Sequence, residues 1–457
     1  MLPQRNWITV PISLPARSAI SALTQSGSSP KRSATPQGLD SGLIWIDPAR
    51  SSAVEHSCSD MHPTETLRST RSVKSLNAAA HAAFVPIGIV TVLLGPMLPS
   101  LSARWSLNYS QAGSLFTAQF IGATLGAALS GTLVSRRGFR FTINAGLFAI
   151  AIGVGTLPIT THAVGLICIL CYGFGLGLAI PAANLLVAEV NPGRRSAALN
   201  LLNFSWSAGA VACPFLVAAA VRVFSIPLFL YLLAGFAILI LFLIATLPRP
   251  LLPSAAIGVE PFAEPSPVNW KHRSVPILGA LFFLYVGAEN AFGGWLTSYT
   301  RGVITPTSEL SVLMPSFFYT ALLLGRWIAP ALLKTVDDLT LARSGLALAC
   351  VGMAVLVLAS SVTVVAASAA VVGLGLAAVY PITISMLAQE FGAAASRVGS
   401  LMFTLTNLGG ASLPWLVGYS SDRFHSLRIG LGVPLAAGIV MNVLYYSKWK
   451  SRGDASV

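Results

Sequence analysis

The chain has 457 residues, of which 54% are hydrophobic and only 9% charged, and its mean hydropathy is +0.75. That is far below the charge content of a soluble domain, so the composition is that of a membrane protein. The net charge of +13 does not point to nucleic acid: the basic residues lie in the terminal segments and between apolar runs, without interleaved aromatics.

Residues 1–75 are rich in Ser, Pro, Arg and Thr, with no helical periodicity and no apolar stretch of signal-peptide length. They are expected to form a disordered polar tail. A Ser/Arg-rich targeting peptide, or upstream sequence ahead of a true start at Met61, are the competing readings. From residue 76 a series of apolar stretches begins, each long enough to cross a bilayer as a helix. Spans are expected at 76–101, 108–134, 139–160, 162–190, 196–221 and 224–247, then at 276–301, 308–334, 340–360, 362–389, 395–420 and 425–446. This gives an all-α membrane protein with an N-terminal six-helix bundle (76–247), a cytoplasmic linker (248–275), a C-terminal six-helix bundle (276–446) and a cytoplasmic tail (447–457).

Lys and Arg set the orientation. With the N-terminus inside, inner loops hold Arg136, Arg137, Arg140, Arg194, Arg195, Arg249, Lys271, Arg273, Lys334, Arg343 and Arg397, whereas outer loops hold only Arg104, Arg222, Arg301, Arg423 and Arg428. Both termini are therefore expected in the cytoplasm, with the chain in the cell membrane. The third, sixth, ninth and twelfth spans carry almost nothing polar and belong against lipid. The fourth, fifth, seventh, tenth and eleventh carry Asn, Thr, Trp and Tyr and should face the interior. Cys168 and Cys171 form a C-x-x-C inside a span, which reads as two small packing residues rather than a metal or redox pair.

The two halves are copies. Gly173-Phe174-Gly175-Leu176…Pro181 returns as Gly373-Leu374-Gly375-Leu376…Pro381. The spacing then holds through Ser196/Ser396, Leu201/Leu401, Gly209/Gly409 and Pro214/Pro414. Two like bundles in the same orientation describe a transporter with its path between them. The glycines allow close helix approach, and no nucleotide-binding, metalloprotease or hydrolase motif is present, so neither an enzyme nor a cofactor is expected.

Glu289, with Asn290 beside it, is the one acidic residue near the middle of a span. A charge there costs roughly 3 kcal/mol on insertion scales, so it must be protonated, paired or open to a watery cavity. A carboxyl that exchanges a proton suits coupling; one that only bonds a neighbouring helix is the alternative. Arg326 is the nearest cation in depth, about 12 Å from the inner end of its helix against about 20 Å for Glu289. It either pairs with Glu289 or snorkels inward to hold the cytoplasmic gate, and the gate is preferred. Asn200, Asn203 and Ser207 form one stripe of the fifth span, with Trp206 alongside. Ser400, Thr404 and Asn407 repeat it in the eleventh. Such stripes suit a neutral, hydroxyl-rich solute or plain interhelical bonding. Gln119, Asn184, Trp295, Tyr299, Tyr319 and Tyr380 are further candidates for the same cavity.

At these residues the chain resembles the major facilitator superfamily over roughly 76–446. The loop Gly131-Thr132-Leu133-Val134-Ser135-Arg136-Arg137-Gly138-Phe139-Arg140 is similar to the family's Gly-x-Leu-x-Asp-Arg-x-Gly-Arg, and Gly325-Arg326 stands at its degenerate second copy. The resemblance implies two six-helix bundles related by pseudo-two-fold symmetry and a site lined by the first, fourth, seventh and tenth spans. It also implies a monomer, and gating by Gly131, Arg136, Arg137, Gly138, Arg140, Arg326 and Asp422. Ser135 replaces the family's acid. Gly287-Ala288-Glu289 with Gly294-Trp295, Ala182-Ala183-Asn184, and Pro414…Gly418…Asp422 resemble the fucose permease-like sugar:proton symporters. The permease for which that branch is named carries an acid where this chain has Ile180, and Thr91 is the lone polar group of the first span, so its coupling site is not carried over. The fifth span lacks the Gly-Pro pair of drug exporters, which favours uptake.

The expected function is secondary active transport of a small polar solute, a sugar by the resemblance, through alternating access with proton-coupled uptake. Partners are that solute, protons and the lipid bilayer. The alternatives are a facilitative uniporter, an exporter of another small metabolite or drug, and, in another class, a non-transporting receptor or scaffold.

Overall fold

A computed structural model describes residues 63–191, 194–223, 225–247, 270–303 and 310–453, and all regular structure there is helical. The expected tail up to residue 62, linker residues 248–269 and residues 454–457 lie outside it.

The described helices make twelve membrane crossings. The first span is Pro63–Val92 continued by Leu94–Trp105. It breaks at Leu93 because Pro96 has no N–H to return to the Val92 carbonyl. The helix thus starts within the expected tail: hydropathy marks only the membrane-buried part, whereas backbone hydrogen bonding continues into polar sequence. The second and third spans form one helical run, Tyr109–Thr156, jointed at Gly138, whose φ of 83° is open to glycine. His162–Val190, Arg195–Val223 and Ile226–Thr246 complete the first bundle. The second comprises Ser274–Val303, Leu310–Leu332, Asp338–Val357, the tenth span as Val362–Leu376 and Val379–Phe391, Ala395–Phe424, and the twelfth as Leu427–Gly430 and Gly432–Gly453. Pro381 breaks the tenth span as Pro96 breaks the first, by leaving the Ala377 carbonyl without its helical donor. Hydropathy and length alone pick out ten spans. They merge the second with the third and pass over the eleventh, whose Ser, Thr, Asn and Asp dilute its apolar character.

Within each half the helices are locked by glycine. Gly209 of the fifth span lies on the Val85 carbonyl of the first, and Gly409 lies on Phe283 in the seventh. Likewise Gly173 packs on Gln119 and Gly373 on Phe318. These matched contacts fix the register of the repeat: Thr91 is the counterpart of Glu289, and Phe120 that of Tyr319. Leu239, Phe242, Val351 and Val443 stand exposed on the sixth, ninth and twelfth spans, as lipid-facing helices require.

The molecule has an Arg136 face, with the 131–140 joint, and an opposite Asp422 face. Three hydrogen bonds join the bundles toward Asp422: Asp422 accepts from the Tyr109 and Ser110 N–H groups (3.0 and 2.6 Å), and Thr117 Oγ1 donates to the Ala411 carbonyl (2.8 Å). The close glycine contacts across the seam, Gly95 with Gly293, Gly113 with Trp415 and Gly410 with Phe120, fall in the same half. The cleft between the bundles is shut at the Asp422 face and parts toward Arg136.

Candidate functional site

Glu289 and Arg326 meet at the closed end of that cleft, with Arg326 Nη2 3.8 Å from Glu289 Oε1. The expectation that Arg326 turns inward to a gate is corrected. Helical side chains lean toward their own N-terminus. The seventh and eighth spans are antiparallel, so Glu289 and Arg326 lean toward each other across their depth difference of about 8 Å. Neither is fully enclosed: the side chains keep 13% and 27% of their exposure. Tyr285, one turn before Glu289, lies beside both charges and donates to the Leu376 carbonyl (3.1 Å), which the break before Pro381 leaves free. Tyr380 stacks on Tyr285 with ring centroids 5.2 Å apart and meets Phe282 edge-on. A backbone defect in the tenth span therefore builds the aromatic wall behind the ion pair.

The first bundle answers with a neutral network around Thr91. Trp206 Nε1 donates to Thr91 Oγ1 (3.3 Å), Gln119 Nε2 to the Thr91 carbonyl (3.0 Å), and the Tyr172 hydroxyl to Gln119 Oε1 (3.0 Å). Thr91 occupies the position in the first half that Glu289 holds in the second. One half of the site is ionic and the other is not.

Several predicted residues fall elsewhere. Gln119 is buried with both ends of its amide committed, so it ties helices together. Trp295 is buried in the closed seam, its Nε1 on the Pro414 carbonyl (2.9 Å) and its ring near Phe116 and Tyr109. Tyr299 lies two turns beyond the cleft, bonded to the Leu356 carbonyl (2.6 Å) at the end of the ninth span. Sequence spacing placed these three on plausible faces, and buried hydrogen-bond partners drew them away. Asn184, Asn203 and Asn290 each donate back to their own helix at the i−4 carbonyl, leaving the amide oxygen available. Asn407 is half-buried, and Asn203 is exposed while Ser207 in the same stripe is buried.

Among the gate residues, Arg140 caps the sixth span through the Ile244 and Ala245 carbonyls (both 2.7 Å), a role within one bundle. Arg137 lies 5.5 Å from the centre of the Phe141 ring, Arg136 is exposed, and Gly131 and Gly138 have open space about them. Asp422 bridges the two bundles. Cys168 sits against Thr156 and Cys171 against the Ala149 carbonyl, as packing residues.

Thr91, Tyr172 and Tyr285 are the network residues that spacing alone did not select; for Tyr285 the signal available was an aromatic hydroxyl paired with the proline break of the tenth span. A mostly apolar cavity of about 560 Å³, lined by Trp270, Val275, Gly279, Phe283, Leu401 and Leu405, lies nearer the Arg136 face and does not include Glu289.

The chain is 23% identical over 411 residues to the Mus musculus sodium-dependent glucose transporter 1A, spanning 81% of this chain and 95% of that protein. It is 26% identical over 382 residues to a glucose/galactose transporter of Brucella abortus biovar 1, spanning 79% and 89%. Among solved structures it resembles a D-xylose-proton symporter (TM-score 0.67, 16% identity, 82% of this chain and 97% of that one). It also resembles the E. coli fucose:proton symporter FucP (TM-score 0.56, 18% identity, 81% and 97%). The nucleoside transporter NupG is similar as well (TM-score 0.64, 15% identity, 82% and 98%), so this likeness speaks for the fold. The Major Facilitator Superfamily model matches residues 81–414. With twelve crossings in two matched bundles about a central cleft, the chain belongs to the Major Facilitator Superfamily and is a multi-pass membrane transporter.

Proposed function

We propose that the chain is a proton-coupled importer of a neutral sugar, working as a single chain in the cell membrane with both termini in the cytoplasm. The observation that carries this is Glu289 paired with Arg326 at mid-depth, in a cleft otherwise lined by amides and aromatic rings. With Glu289 ionised, the pair holds both charges. A proton on the carboxyl cancels the attraction and frees guanidinium N–H groups for solute hydroxyls, so proton and solute bind together. Trp206 and Tyr380 offer ring faces, and Asn184, Asn203, Asn290 and Asn407 offer amides that fit a polyhydroxylated ring. The sugar transporters among the relatives support the solute class. Rocking of the two bundles about the central site then exposes it to each face in turn. The excess of Lys and Arg in the loops of the Arg136 face supports placing that face in the cytoplasm.

In proteoliposomes, Glu289→Gln should keep counterflow exchange of sugar while losing accumulation against a gradient. Retained accumulation by that variant would remove Glu289 as the coupling group. Sodium is the rival coupling ion, given the name of the mouse relative. The Arg326 guanidinium disfavours a second cation at this carboxylate, so replacing sodium by choline should leave uptake unchanged, while an uncoupler should collapse it. A facilitative uniporter would be indifferent to both.

A further inference from the structure

Five tyrosines are buried in the described residues: Tyr172, Tyr285, Tyr299, Tyr319 and Tyr445. Four hydroxyls have protein partners, namely Gln119 Oε1, the Leu376 carbonyl, the Leu356 carbonyl and Thr383 Oγ1. Among the described residues, the Tyr319 hydroxyl has none. It lies against Gly293 of the seventh span. Its ring is held against Phe318, with centroids 5.0 Å apart. Gly293 makes room for the oxygen, since a methyl group on that residue would stand 2.7 Å from it. Gly293 follows Glu289 by one helical turn, so hydroxyl and carboxyl line the same strip of the seventh span.

Packing does not explain the oxygen. The counterpart of Tyr319 in the first half is Phe120, a bare ring without the hydroxyl, which packs across the seam on Gly410. The Tyr319 ring is buried, but its oxygen is not among the fully enclosed unpaired atoms, so it stands as a free donor and acceptor for a group that arrives. We infer that Tyr319 is a specificity-determining residue, whose hydroxyl hydrogen-bonds one hydroxyl of the transported sugar and rejects analogues lacking it. This rests on the sugar reading above and extends it to a named contact. A site built to bond a hydroxyl discriminates strongly against its absence, because the protein group is then left unpaired.

The test is binding to purified protein by calorimetry. D-glucose, D-galactose, D-xylose and L-fucose would be assayed, followed by the single-deoxy analogues of whichever binds. Wild type should prefer the parent sugar over one deoxy analogue by about tenfold or more. Tyr319→Phe should reduce that preference to within about threefold, chiefly by weakening the parent sugar, with an unchanged melting temperature. Gly293→Ala, which displaces the hydroxyl without removing it, should give the same loss and provides a second route if the first variant is unstable. An unaltered deoxy profile in a folded variant overturns the role of Tyr319 and leaves the transporter reading standing. Failure of the wild type to bind any of the sugars overturns the sugar reading, and this inference with it.

Discussion

Arg326 shows how far one residue depends on its neighbour. Its guanidinium sits in the membrane interior with Glu289 as its ion-pair partner, and its Nε is buried with no hydrogen bond. Removing one member of such a pair strands the other charge, which costs more than removing both. Arg326→Met should therefore destabilise the folded protein by about 2–3 kcal/mol, the low side for a buried pair because Arg326 keeps 27% of its exposure. The double variant Glu289→Gln/Arg326→Met should recover much of that loss. Thermal unfolding in detergent tests this; additive losses would mean that the two charges do not interact. That a mid-span carboxyl needs a partner was legible in the sequence. Whether Arg326 pairs with it or turns inward was not, because that depends on the antiparallel lean of two side chains.

At the scale of elements, helix ends and glycine contacts carry the conformational weight. Asp422, in the last turn of the eleventh span, holds two free N–H groups at the start of the second, where a helix dipole favours negative charge. Asp422→Asn removes the charge and one acceptor, worth about 1–2 kcal/mol, or roughly a tenfold shift toward the state open at the Asp422 face. A cysteine placed at Ala411 should react faster with a maleimide in that variant; an unchanged rate would show that the contact does not hold the gate. Gly409 has its own consequence. A methyl there would strike the Phe283 backbone, so Gly409→Ala should destabilise by about 1–3 kcal/mol. Gly235→Ala, at a position with nothing nearby, should be neutral by the same melting assay. The repeat exposed Gly409 through its match with Gly209, and Asp422 through its motif. Their contact partners belong to distant helices that no spacing rule reaches.

For the whole molecule, all of the seam contacts named above lie on one side of the site. Alternating access requires that seam to open. A disulfide between cysteines at Thr117 and Ala411, whose side-chain oxygen and carbonyl are 2.8 Å apart, should abolish flux and leave sugar binding from the Arg136 face intact. Reduction should restore transport. Undiminished flux in the crosslinked protein would mean that the bundles do not part along this line.

Sequence by itself determined the class, the duplication and the depth of the one buried acid. Each follows from properties that add along the chain: hydropathy over about 20 residues, constant spacing between copies, and the cost of charge in hydrocarbon. Tertiary structure decided which polar residues serve the cleft and which bind helices together. Gln119, Trp295 and Tyr299 are as polar as Tyr319, yet their hydrogen-bonding groups are met by carbonyls and side chains more than 25 residues away. A polar group in a membrane span must find a partner, and only the packed helices settle whether that partner is protein or cargo.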